Sequence, residues 1–140
     1  MTEGNVSLDR SGYSTTSLAA KGATGAGTAL NVSEYQNVVI SYATDGGADA
    51  ALTVKFQGSI QETEPTWASA QSVTNMWDYI EVIDLEDGTA IDGDTGVAVA
   101  TADDYRLFEA NVNGLKWINA IVTARTAGEV TVKFKAFKNK

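Results

Sequence analysis

The densest group of chemically capable side chains lies at residues 81–99, EVIDLEDGTAIDGDTGVAV, where Glu81, Asp84, Glu86, Asp87, Asp92 and Asp94 stand without a Lys or Arg between them. Carboxylates so arranged suit two chemistries. They can wrap a hard cation in oxygens, or act as a facing acid–base pair across a sugar cleft. The EF-hand pattern D-x-[DN]-x-[DN]-G fails in both frames. From Asp92 the fifth residue is Gly96 and the sixth Val97; from Asp84 the third is Glu86 and the fifth Gly88. The remaining metal geometry is a bent hairpin gathering Asp87, Asp92 and Asp94. Against it stands turn chemistry: Asp-Gly pairs belong to tight turns, because glycine accepts positive φ and aspartate bonds its own backbone. Glu86-Asp87-Gly88-Thr89 and Asp92-Gly93-Asp94 therefore read as two turns. Glu81 and Asp84, three apart on a strand, project to opposite faces and cannot pair. The stretch is expected to be strand, double turn, strand, with its acids on an exposed loop.

Other chemistries are narrowed by what the chain lacks. It has no cysteine and no histidine, which removes thiolate chemistry, disulfides, the commonest general base and the centre of Ser-His-Asp triads. Stacking of aromatic rings on sugars is the third possibility. Trp67, Trp77, Trp117, Tyr79 and Tyr105 are the candidates; Trp77 and Trp117 sit in apolar strands and read as packing residues, leaving Trp67 as the one sugar platform. The expectation is a protein that is not an enzyme, with no catalytic, cofactor-binding or metal-ligating residues and no cofactor.

The formal net charge is −8, which argues against nucleic acid as a partner. No apolar run approaches the roughly 20 residues of a membrane span, so no membrane partner is expected. The opening residues, MTEGNVSLDR, lack the basic and apolar regions of a signal peptide, so synthesis is expected in the cytoplasm. The charge is unevenly spread. Residues 78–109 hold ten acids against Arg106 alone, whereas Lys133, Lys135, Lys138 and Lys140 supply four of the ten basic residues. Such polarity suits the orientation of one subunit against another, and equally a solvated surface.

At 140 residues the chain fits one domain. Residues 1–30, rich in Ser, Thr, Ala and Gly, read as an N-terminal arm or irregular segment, with a plain edge strand as the alternative; residues 31–140 form the folded domain. There the dominant period is two. Val38, Ile40 and Tyr42 share one face of a strand, as do Leu52, Val54, Phe56 and Ile60 of the next, and Asp45-Gly46-Gly47 between them predicts an antiparallel hairpin. Residues 60–76, with the only proline, Pro65, read as a long loop with at most one helical turn, pinned by Trp67. WDYIEVIDL carries bulk on both faces and reads as a central or subunit-covered strand. GVAVAT and YRLFEANV follow, separated by Asp103-Asp104, with a turn at Asn113-Gly114. LKWINAIVTAR and EVTVKFKAF are expected to pair through Thr126-Ala127-Gly128, with Val130, Val132, Phe134 and Ala136 inward. About eight strands and no helical periodicity give an all-β fold, an antiparallel β-sandwich of jelly-roll-like or related topology. An immunoglobulin-like sandwich remains open.

The blocks NMWDYIEVIDLEDGTAIDGDTGVAV and GLKWINAIVTARTAGEVTVKFKAF resemble small β-sandwich structural proteins of tailed-bacteriophage virions, of the capsid-decoration and head-fibre type. The resemblance spans roughly residues 35–137 and rests on alternating strands, Asp-Gly turns and a closing Trp-containing pair of strands. It implies a virion protein, foremost a capsid decoration subunit that cements or displays by non-covalent assembly. Its partners would be itself, as a homotrimer, and a major capsid or other virion protein. A tail or fibre component, and a carbohydrate-binding sandwich module, are the alternatives.

Overall fold

The alternating strands pair into two sheets. A computed structural model of the chain describes residues 13–45, 50–99 and 105–138, and among these every regular element is a strand. In chain order they are β1 (Tyr13–Lys21), β2 (Gly25–Ala26), β3 (Leu30–Asn31), β4 (Asn37–Asp45), β5 (Ala51–Ser59) and β6 (Asp78–Tyr79). Then come β7 (Val82–Asp84), β8 (Ala90–Ile91), β9 (Val97–Val99), β10 (Tyr105–Asn111), β11 (Trp117–Ala127) and β12 (Glu129–Phe137). The first sheet runs β1-β12-β4-β10-β7-β8; the second runs β2-β11-β5-β6, with β3 also on β11 and β9 also on β5. All of these pairings are antiparallel. The expected all-β sandwich is the fold.

The inward faces follow the period-two reading. Val38, Ile40 and Tyr42 of β4, Leu52, Val54 and Phe56 of β5, and Val130, Val132, Phe134 and Ala136 of β12 are all buried. Phe56 reaches across from the second sheet to Phe108 and Phe134 of the first, with ring centroids at 6.5 and 6.3 Å. Tyr42 meets Phe108 edge-on at 6.0 Å. These four rings form the centre of the core.

Strand partnership differs from expectation in three places. β4 and β5 do not form a hairpin: β4 pairs with β12 and β10, and β5 with β11, β6 and β9. Nor do β11 and β12 pair with each other; they lie in opposite sheets. Alternation decides which face of a strand is buried but not which neighbour it takes, and two consecutive strands can bury their apolar faces against each other across the core as well as beside each other. The chain changes sheet at Gly128, whose φ of 92° is open to glycine. A Cβ there would lie 2.9 Å from Ala50 Cβ. Of the predicted turn between β4 and β5, Gly46 and Gly47 lie outside the described residues, as do Asp103-Asp104, Lys140 and residues 1–12.

The third difference is WDYIEVIDL, which is no central strand. It breaks into β6 at an edge of the second sheet and β7 in the first, so its two-sided bulk comes from a chain crossing one flank of the sandwich. From there β8 stays in the first sheet and β9 joins the second, and the whole 78–99 stretch closes that flank. The opposite flank is closed by residues 13–31. β1 is an edge strand on β12, β2 and β3 attach to β11, and Leu18 and Leu30 enter the core.

Residues 60–77 form the expected long loop, without a helical turn. It lies over the outer face of the second sheet. Gln57, fully buried, donates to Trp67 O (2.9 Å) and accepts from Asn119 Nδ2 (3.0 Å). Trp117 Nε1 donates to Gln61 O (2.9 Å), and Ser59 Oγ donates to Met76 O. The outer face of β11 at Trp117 and Asn119 is thus covered by the chain itself. Ile60, expected inward, is 65% exposed, because the strand ends at Ser59 and the chain leaves the sheet.

Candidate functional site

The acidic stretch forms two turns on the closed flank. Asp87 Oδ1 accepts the Thr89 amide (2.9 Å) and Asp92 Oδ1 the Asp94 amide (2.7 Å). Gly88 and Gly96 take φ of 78° and 71°. Aspartate bonding the amide two residues ahead is turn chemistry, and it directs these two carboxylates into their own backbone. The left-handed glycine comes directly after Asp87 in the first turn and four residues after Asp92, at Gly96, in the second. Among the described residues, no three Asp, Glu, His or Cys gather into a group able to hold a metal ion. Strand, double turn and strand is the observed order, with the short β8 between the turns.

Asp84 departs from the exposed-loop reading. It is 6% exposed and accepts the Arg106 Nη2–H at 2.6 Å and the Glu86 amide at 2.9 Å. The Glu86 amide, then the Arg106 hydrogen bond and charge, hold its carboxyl below the usual aspartate range against an opposing push from burial. Arg106 also lies over the Phe108 ring, 4.9 Å from its centroid, which joins the pair to the aromatic centre. The signal for this pair was present in the sequence: Arg106 is the sole base among ten acids over residues 78–109. Its choice of Asp84 required the β10–β7 pairing, where Phe108 faces Asp84.

A depressed carboxyl pKa stabilises the fold at pH values above the unfolded aspartate's, roughly 3.9, and that contribution is lost as pH falls through the folded value. Asp84→Asn is therefore expected to unfold more readily than the parent near neutral pH. The difference should shrink below about pH 4 and vanish at lower pH. Urea titrations of both proteins across the acid range check this; a gap that stays constant with pH would contradict it.

Trp67 is no sugar platform. It is 5% exposed, with Nε1 donating to Glu64 Oε2 at 2.9 Å. Its ring is consumed in holding the loop to the second sheet. Trp77 packs edge-on to Tyr79 at 5.0 Å and donates to Ser69 O at 3.1 Å, while Trp117 lies half-buried on β11. Of the five aromatic candidates, Tyr105 is the one that stands well out, at 67% exposure, with its hydroxyl 3.0 Å from Ser41 Oγ.

Two surfaces carry large apolar side chains in the open. One is a groove beside the long loop where Ile60, Val73 and Met76 stand out, Val73 at 87% exposure. The other is the outer face of the first sheet, where Leu85, Tyr105 and Leu107 are exposed around a groove of about 680 Å³ lined by residues 84–87 and 105–107. Leu85, Leu107, Val73 and Met76 do not stand out in the sequence, because exposed apolar residues on short strands and loops leave no periodic mark.

No protein-family model matches the chain, and no curated protein matches its sequence. Among solved structures, the chain is similar to the SPBc2 prophage-derived protein YomS. The TM-score is 0.56 with 11% identity, over 89% of this chain and 93% of that one. The likeness is one of fold, and it spans nearly the whole of both chains.

Proposed function

We propose that the chain is a structural subunit of a tailed-phage virion, foremost a capsid decoration protein that acts by non-covalent assembly with itself, as a homotrimer, and with a major capsid or other virion protein. The observation that carries this reading is the near-complete fold match to a protein of prophage origin. Two apolar surfaces on a single small sandwich support it. Val73, Ile60 and Met76 on one, and Leu85, Tyr105 and Leu107 on the other, are groups that lose unfavourable contact with water when covered by a partner. The site geometry adds to it, because Asp87 and Asp92 each cap their own turn and Asp84 is held in an internal ion pair. Binding, rather than turnover, is what this surface offers. The chain would reach the virion from the cytoplasm in which it is made.

Sedimentation velocity tests the assembly part. The expected species has three times the chain mass of 14.8 kDa, in exchange with smaller species on dilution. A monomer at every concentration would count decisively against a decoration role. Position on the particle is read by immunogold labelling of phage from the source culture. Label on heads supports the decoration reading, whereas label confined to tails would make the chain a tail or fibre component.

A further inference from the structure

The two oppositely charged segments of the chain meet on one sheet face. β12, β4, β10 and β7 lie side by side, and their registers place Lys135, Val39, Glu109 and Ile83 in one row and Lys133, Ser41 and Leu107 in the next. The residues between these rows, Phe134, Ile40 and Phe108, are buried in the core. Alternation therefore turns both rows outward. Lys133 and Lys135 are exposed on β12. Two strands away stands Glu109, held by Asn37 Nδ2 at 3.0 Å, and beyond it the exposed turn residues Glu86 and Asp87. At about 4.8 Å per strand the basic and acidic strips begin roughly 10 Å apart. Between and beside them lie Val39, Leu85, Leu107 and Tyr105. In the second sheet, by contrast, the end of the outer face that carries Gln57 and Trp117 is covered by the chain's own 60–77 loop.

We propose that the outer face of the first sheet is a self-association surface. The lysine strip of one copy, Lys133 and Lys135, seats against the acidic strip of a second copy, Glu86, Asp87 and Glu109, with Leu85, Leu107 and Tyr105 supplying the apolar contact. A second copy is the occupant because the face carries both halves of a charge-complementary pair, and identical faces set against each other can satisfy both strips at once. Four strands across, each about 4.8 Å wide, and seven residues along give a face of roughly 19 by 24 Å, on the order of 450 Å² in plan per copy. A contact of that size is small and reversible, and its charge pairs make it sensitive to salt.

This inference rests on the assembly reading above, and charge reversal separates the two. One variant carries Lys133→Glu and Lys135→Glu; the other carries Glu86→Lys, Asp87→Lys and Glu109→Lys. Each alone is expected to self-associate about tenfold or more weakly than the parent, and an equimolar mixture to recover association, because each then offers what the other lacks. Circular-dichroism melts check that both variants are folded. If the parent associates and both folded variants associate equally well, the surface assignment is overturned while the assembly reading stands. Failure of the folded variants to associate when mixed overturns the surface assignment in the same way. A parent that is monomeric throughout overturns both. Should either variant fail to fold, the salt response of the parent decides: weaker association as salt rises supports the charged face, and indifference to salt overturns it.

Discussion

Phe108→Ala is expected to lower the unfolding free energy by about 3–5 kcal/mol, a fall in melting temperature of about 10–20 °C. Phe108 is fully buried in the first sheet, touches Tyr42 edge-on within its own sheet, and meets Phe56 across the core. Truncation removes the ring from the point where the sheets interlock. The surrounding rings belong to strands fixed in register by their pairing, so the site cannot collapse to fill the space, and the cavity cost adds to the lost transfer energy. Arg106 loses the ring beneath its guanidinium as well, so part of the effect should be shared with the Asp84 ion pair. A double-mutant cycle of Phe108→Ala with Asp84→Asn is expected to be less than additive for that reason. Tyr105→Ala, three residues away but 67% exposed, should change stability by about 0.5 kcal/mol or less. Thermal and urea unfolding of the three proteins checks the contrast. A Phe108→Ala loss no larger than that of Tyr105→Ala would mean that the sheets are not held together through these rings.

What the sequence made legible follows the same physics. Facing was readable because the side-chain period of a strand is two, and burial of Val38, Ile40, Tyr42, Val130, Val132 and Phe134 depends on nothing else. Turn chemistry was readable because Asp87 and Asp92 act within their own turns. Partnership was not. β4, β5, β11 and β12 all look like hairpin strands locally, and the choice of crossing to the other sheet is made by the collective closing of the sandwich. The role of Trp67 was half-readable. Its pinning of the loop follows from a large apolar ring in a polar stretch, but that the ring faces protein depends on where the loop docks: Gln57, ten residues earlier, holds the Trp67 carbonyl, and Asn119, distant in the sequence, holds Gln57. The charged face was visible only as a polarity along the chain; the β12-β4-β10 order brought the lysines of β12 to within two strands of Glu109.

The N-terminal segment shows how little sequence signal a structurally decisive position can carry, and it yields the second large effect. Gly27→Ala is expected to cost about 3–4 kcal/mol, near the upper end for a single substitution. Gly27 donates to Ala120 O of β11 (2.8 Å), and the next amide, Thr28, donates to Ser17 O of β1 (2.8 Å). The chain here runs between an edge strand of the first sheet and a strand of the second, stitching the two at the flank. Ser17 Oγ adds a contact to the Ala120 amide at 3.3 Å. A Cβ on Gly27 would lie 2.2 Å from Ser17 O and 2.9 Å from Ser17 C. Those are backbone atoms, so no rotamer change relieves the overlap, and either the Thr28–Ser17 bond or the Gly27–Ala120 bond must open. Gly114→Ala provides the comparison: its φ of 93° strains an alanine, but nothing stands within 4 Å of the added carbon. That variant should lose only about 1–2 kcal/mol. Hydrogen exchange distinguishes a local from a general effect, with the Thr28 and Ala120 amides expected to lose protection first in Gly27→Ala. If Gly27→Ala melts with the parent and those amides stay protected, residues 25–31 are not the stitch that closes this flank. β1 would then hold to β12 by its own ladder alone.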